Sequence, residues 1–160
     1  MILILLESVV MCFILLMICV IGIADGAVGS VYFFEKEVQE RVVELGLTTK
    51  EIIRKRAVIA SIFLYASTLF LVPAMVYFIN NAREFWDLFR QMTIIFWIMG
   101  LFDRLFIDWY WVGHTKTWMI PGTEDLMPYI PKKTLIKKWV GTIVGYPVVA
   151  WILSIVISVF

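Results

Sequence analysis

Three charged residues lie within an otherwise apolar stretch of the chain: Asp103, Arg104 and Asp108. A charged side chain at the centre of a membrane helix costs about 2.5–3.5 kcal/mol on insertion scales, so such residues usually pair and often mark function. Arg104 and Asp108 have the i,i+4 spacing of neighbours on one helix face, so a single ion pair can satisfy both. Asp103 lies about 100° around the helix from Arg104 and needs a different partner or water.

The residues that follow supply further chemistry. His114 is the only histidine of the chain and lies between an aromatic run and Lys116. Carboxyl and imidazole groups are the usual general acids and bases, so we predict Asp103 and His114 as catalytic residues. Arg104 and Lys116 are expected to hold an anionic group of a ligand. The other predicted ligand contacts are Asp25, Asp108, Trp111 and Trp118.

Each of these residues also has a purely structural interpretation. An Arg–Asp pair near the membrane interface can be a clip, and a histidine among tryptophans is typical of such an interface. The acidic, histidine and cysteine positions match no signature such as HExxH or CxxC. We therefore assign no metal ligands and leave the cofactor unknown. Whether the protein is an enzyme stays open.

The composition indicates that these residues belong to a membrane protein. The chain has 160 residues, of which 62% are hydrophobic and 17% charged. Soluble domains have roughly 45–50% apolar and about 25% charged residues. The excess falls in runs long enough to span a bilayer. We predict one integral membrane domain, 1–160, with spans at about 1–23, 57–79, 88–111 and 139–160. The net charge of +1 argues against a nucleic-acid partner.

Two polar segments separate these spans. Segment 31–56 keeps a helical apolar stripe, and Thr48 and Glu51 have the spacing of a capping box that begins the next helix. Segment 112–138 is interrupted by three prolines. The predicted fold class is therefore all-α: an antiparallel bundle of four transmembrane helices, with a cytoplasmic helical hairpin extension and a Pro-rich cytoplasmic loop.

Basic residues set the predicted orientation in the membrane. Segments 31–56 and 112–138 carry most of the lysines and arginines, whereas the turn between the second and third spans carries few. Basic loops tend to remain on the cytoplasmic side. We therefore predict a multi-pass protein of the cell membrane with both segments in the cytoplasm and both termini outside.

This orientation predicts two polar layers within the membrane. At about 1.5 Å of rise per residue, Asp25 and Asp103 reach the cytoplasmic half. Glu7 lies in the outer half, level with Arg90 and Gln91. The inner layer contains the predicted site residues, so the site should open towards the cytoplasmic leaflet.

One leading hypothesis and two alternatives follow. In the leading hypothesis the inner site binds a small amphipathic or lipid-like substrate and, in its stronger form, also processes it. The first alternative is a homo-oligomeric channel or transporter, assembled through Gly22/Gly26 and Gly141/Gly145, whose GxxxG spacing lets helices approach closely. The second is an accessory or scaffold subunit that docks a partner through the helical hairpin. The lipid bilayer is a partner in every case.

Overall fold

The computed structural model describes residues 1–159. Within that range the protein is helical and contains no strand. The long elements are α1 (Ile2–Ile23), α2 (Lys36–Glu44), α3 (Lys50–Ile79), α4 (Phe85–Phe102, continued by a π-helical segment, Asp103–Val112) and α5 (Lys132–Ser158). Short 3₁₀ segments connect them at Ala27–Phe33, Lys116–Trp118 and Glu124–Leu126.

Three of these helices, α1, α3 and α5, are long and apolar enough to cross a membrane. Many of their large apolar side chains face outward: Phe13 is 58% exposed, Phe70 73% and Ile152 55%. Apolar surface on this scale requires a partner other than water, and the length of the helices matches a bilayer. An all-helical protein with three candidate spans is thus confirmed. The predicted fourth span, 88–111, lies on α4 and stays a prediction.

Helix α4 is the centre of the bundle. It packs along α1 on one side and along α5 on the other. Its buried face has helical period and consists of Leu88, Met92, Ile95, Phe96 and Met99. Gly100 brings α5 close, because a Cβ at that position would lie 2.7 Å from Thr142 Cγ2. The outward faces of α1 and α5 are left for lipid.

The 3₁₀ segment Ala27–Phe33 lies between α1 and α3 and contacts both helices, which barely touch each other directly. We call this end of the bundle, which carries residues 24–49 and 113–131, the loop end. The opposite end, which carries residues 80–84, is the turn end. Gly29 allows the close approach at the loop end, because a Cβ there would overlap the Gly22 carbonyl oxygen and the Arg56 guanidinium group.

The two polar segments predicted from the sequence pack against each other at the loop end. The ring of Phe34 lies 4.7 Å from that of Tyr129 and 6.2 Å from that of Trp118. Arg41 pairs with Asp125 at 3.3 Å. Val38, Val42 and Ile120 are buried at this end and belong to the same hydrophobic core as the bundle. The two segments therefore form one folded cap at the loop end, where the sequence had predicted a hairpin and a separate loop.

The bounds of the first polar segment differ from the prediction. The amphipathic helix expected from residue 31 begins only at Lys36, because a 3₁₀ segment and the extended residue Phe34 precede it. Helix α3 is capped by Thr49, whose Oγ1 accepts a hydrogen bond from the Ile52 amide at 3.3 Å. The predicted cap, Thr48, was wrong by one residue. Thr49 accepts from a first-turn amide as an N-cap does, but the residue three positions later is Ile52, so the reciprocal glutamate contact of a capping box does not form.

The close approach at Gly29 generates a test of the packing. Gly29→Ala should destabilise the protein by about 1–3 kcal/mol, the usual cost of overpacking a tight contact. Gly141→Ala is the matched control, because a Cβ there meets nothing within 4 Å. Thermal unfolding in detergent measures both variants. Equal midpoints for the two would contradict the position of the 3₁₀ segment against α1 and Arg56.

Candidate functional site

Four charged side chains form a buried cluster between α4 and α5. Arg104 hydrogen-bonds both Asp103 and Asp108, and Lys138 Nζ donates to Asp108 Oδ1 at 2.9 Å. Arg104 and Asp108 are each 7% exposed. We call Asp103, Arg104, Asp108 and Lys138 the charge cluster. It contains two carboxylates and two cations, so its formal charges cancel within the bundle.

Arg104 lies where the backbone hydrogen bonding of α4 changes. Helix α4 changes from α-helical to π-helical hydrogen bonding at Asp103, where the charged residues begin. π-Helical segments also occur in α3, at Ser67–Leu71 and Met75–Ile79, and in α5, at Gly141–Gly145, so this feature alone does not distinguish the site. Asp103 was expected to need its own partner, but it shares Arg104 with Asp108. Lys138 was not among the predicted site residues.

A small cavity of about 90 Å³ adjoins the charge cluster. Its lining includes Cys19, Asp103, Asp108, Trp118 and Lys138. A water molecule occupies about 30 Å³ of liquid volume, so this space admits a few waters but no lipid-sized ligand. The charge cluster by itself is therefore a set of ion pairs that joins α4 to α5, beside a cavity with room for a few water molecules.

Asp25 lies elsewhere, at the polar end of a much larger groove. It follows α1, its side chain is 86% exposed, and its Oδ2 lies 3.9 Å from Arg56 Nη2. Arg56 belongs to α3. These two side chains, with Gly29 and Tyr32 of the 3₁₀ segment, line one end of a groove of about 540 Å³ between α1 and α3.

The remaining wall of this groove is apolar. Helix α1 supplies one face at successive helical turns, and α3 supplies the opposite face; these apolar residues are Phe13, Ile14, Met17, Ile18, Ile21, Ile59, Ala60 and Phe63. From Phe13 to Ile21 the wall runs about 12 Å along the helix axis. The 3₁₀ segment creates the groove, because it holds α1 and α3 apart at the loop end.

Tyr32 contributes a neutral donor at the polar end. Burial raises the pKa of its phenol to about 12, and the nearby positive charge of Arg56 offsets that rise only in part. The phenol therefore keeps its proton at physiological pH. It can donate a hydrogen bond to an anionic group that also contacts Arg56.

The other predicted site residues lie outside the groove. His114 is exposed, its Nδ1 lies 2.6 Å from the Trp109 carbonyl oxygen, and its ring contacts that of Trp109. Lys116 is also exposed. Asp103 belongs to the charge cluster, whereas His114 follows the π-helical segment and lies against Trp109, so the structure does not bring the two predicted catalytic residues together.

The predicted aromatic contacts belong to the folded cap. Trp118 is 2% exposed, and its ring packs edge to face against Trp111 at 5.1 Å. This position gives Trp118 a packing role at the loop end. Trp111 is half-buried beside it.

Sequence reasoning missed Arg56, Tyr32 and Gly29, the residues that complete the groove around Asp25. The available signal was the position of Arg56, the last cation before the predicted span 57–79. Arg56 had been counted only among the basic residues that set the predicted orientation in the membrane. In comparisons with protein-family models, with curated proteins and with solved structures, nothing matches this chain. A functional proposal therefore depends on the geometry of its own site.

The charge cluster generates a stability prediction. Asp108→Asn leaves Arg104 and Lys138 facing one remaining carboxylate, and breaking a buried ion pair costs about 3–5 kcal/mol. Asp87→Asn is the matched control, because its partner Arg90 lies 2.8 Å away in an exposed pair. Exposed pairs contribute about 0–1 kcal/mol. Denaturation midpoints in detergent compare the two, and a similar small loss in both would argue against a stabilising cluster.

Proposed function

We propose that this protein is a multi-pass protein of the cell membrane that binds one amphipathic, lipid-like molecule in the groove between α1 and α3. The observation that carries the proposal is the groove itself: about 540 Å³, with two apolar helix faces and a polar end formed by Asp25, Tyr32 and Arg56. Ligand sites of about 300–1,000 Å³ with mostly apolar walls and few polar groups are typical of proteins.

The polar end favours a head group that carries both signs of charge. Asp25 and Arg56 are only weakly joined at 3.9 Å, and their side chains are 86% and 40% exposed. Exposed pairs of this kind separate at little cost, so each partner is available to a ligand. A phosphate suits the planar guanidinium of Arg56 and the phenol of Tyr32, whereas an ammonium group suits Asp25. We therefore infer a zwitterionic phospholipid.

The finer arrangement predicted from the sequence is part of the proposal. In it α4 is a fourth span, the loop end is cytoplasmic and both termini lie outside. The 18 residues of Phe85–Phe102 extend about 27 Å, close to the roughly 30 Å of a hydrocarbon core. Helices α1 and α5 cover α4, and its Asp103, Arg104 and Asp108 are paired internally. A helix that other helices cover in this way can span a membrane with a lower mean hydropathy than a helix that faces lipid.

Cysteine accessibility tests this topology. Arg83→Cys at the turn end should react with a membrane-impermeant maleimide in intact cells, whereas Lys133→Cys at the loop end should react only after permeabilisation. Both positions are exposed. The unmodified protein is the background control, because Cys12 and Cys19 lie within α1. Identical labelling of the two variants would place both ends on one side and remove α4 as a span.

Lipid binding is tested by native mass spectrometry of the purified protein with phosphatidylethanolamine and phosphatidylglycerol. Arg56→Gln should lower the bound fraction of both lipids about tenfold, since a hydrogen bond to a charged group contributes about 1.5–3 kcal/mol. Asp25→Asn should lower binding of the amine-bearing lipid alone. Arg54→Gln, an exposed cation outside the groove lining, is the control. Unselective binding that survives Arg56→Gln would refute the proposal.

The apolar part of the groove has its own test. Ala60→Trp should fill the groove and abolish binding, because Ala60 lies in its α3 wall. Val58→Trp adds the same side chain two residues earlier, at a position that is 50% exposed and outside the groove lining. Undiminished lipid binding in Ala60→Trp would show that the lipid occupies a different surface.

A further inference from the structure

A second buried polar group lies at the turn end, far from the groove's polar end. Glu7 of α1, Asn80 after α3 and Gln91 of α4 meet there. Asn80 Nδ2 donates to Glu7 Oε2 at 2.8 Å and to Gln91 Oε1 at 2.9 Å. Glu7 is only 5% exposed. One amide thus joins three separate parts of the chain.

Two acceptor oxygens of this group lack a hydrogen-bond donor. Glu7 Oε1 and Asn80 Oδ1 are both buried and receive no hydrogen bond. The cost of leaving a buried polar atom unsatisfied is about 1–3 kcal/mol, and it is larger for charged groups. Two neighbouring side chains therefore each have an oxygen without a donor.

The charged residues nearby do not neutralise Glu7. Arg90 pairs with Asp87 at 2.8 Å in an exposed pair. Arg83 lies 3.6 Å from the centroid of the Tyr77 ring and donates to backbone carbonyl oxygens, and Glu84 is exposed. In the described part of the chain, no lysine or arginine forms an ion pair with Glu7. An ionised carboxylate in such a place is costly unless something neutralises it.

We propose that Glu7 and Asn80 bind a small monovalent cation of the Na⁺ type, with Gln91 holding the Asn80 amide in place. Glu7 Oε1 and Asn80 Oδ1 are the buried oxygens that receive no hydrogen bond. Carboxylate and amide oxygens are the ligands that hard cations prefer. A bound Na⁺ cancels the carboxylate charge, whereas a water molecule fills the hydrogen bonds and leaves that charge in place.

The site differs in kind from the groove. Its ligand is an ion, its residues lie on α1, α4 and the turn after α3, and none of them lines the groove. Occupation would fasten these three elements together at the turn end. The two proposals can therefore fail separately.

Unfolding measurements test the cation site. The midpoints of the wild-type protein and of Glu7→Gln are compared at one pH, in NaCl and in choline chloride. Glutamine keeps the shape of the glutamate side chain without its charge and can both donate and accept, so this variant should fold.

NaCl should raise the wild-type midpoint above its value in choline chloride, by mass action, and should not move that of Glu7→Gln. Glu44→Gln, at an exposed carboxylate of the loop end, is a control that should respond as the wild type does. A wild-type midpoint that is the same in both salts would overturn the proposal and leave a bridging water.

Covalent labelling gives a second readout. Dicyclohexylcarbodiimide reacts with carboxyl groups in apolar surroundings and adds its whole mass to them. At a fixed pH, mass spectrometry of peptides should find less adduct on Glu7 in NaCl than in choline chloride. An adduct on Glu7 that NaCl does not reduce would count against a bound cation.

Discussion

The pairing of Arg104 inside an otherwise apolar bundle is the constraint on which the rest of the structure depends. A guanidinium group remains charged at any physiological pH. It therefore needs negative charges close by when α1 and α5 cover α4 on both sides. Asp103 and Asp108 supply them from the same helix, and Lys138 restores neutrality from α5. The pairs therefore fix the rotation of α4 and the position of α5 along it.

The groove depends on a second constraint, which is a matter of packing. Helices α1 and α3 would be expected to pack along their length if an ordinary turn joined them. Instead the 3₁₀ segment Ala27–Phe33 lies between them, and Gly29 lets it contact both the Gly22 carbonyl group and Arg56. The space left between the two helices is apolar because both helices are. Its one polar end results from the residues that hold the segment in place.

The sequence predicted the axial position of most features but not their position around the bundle. Hydrophobic runs located α1, α3 and α5 to within several residues, since span length and composition are linear properties. Asp25 and Asp103 were predicted to lie in one polar layer, yet they belong to different sites, because a rise of 1.5 Å per residue gives position along a helix and says nothing about lateral neighbours. The change to π-helical bonding at Asp103 has no sequence signal that we recognise.

Charge balance distinguishes the three polar sites from one another. The charges of the charge cluster cancel among its own members, although Arg104 Nε is buried without a hydrogen-bond partner. At the groove, Asp25 and Arg56 are balanced but barely joined and largely exposed, so a ligand with both charges can replace each partner. Glu7 is buried and hydrogen-bonded but has no counter-charge among the described residues. In a membrane protein, a charged group that its own fold leaves unpaired or only weakly paired indicates the charge that a ligand must carry to neutralise it.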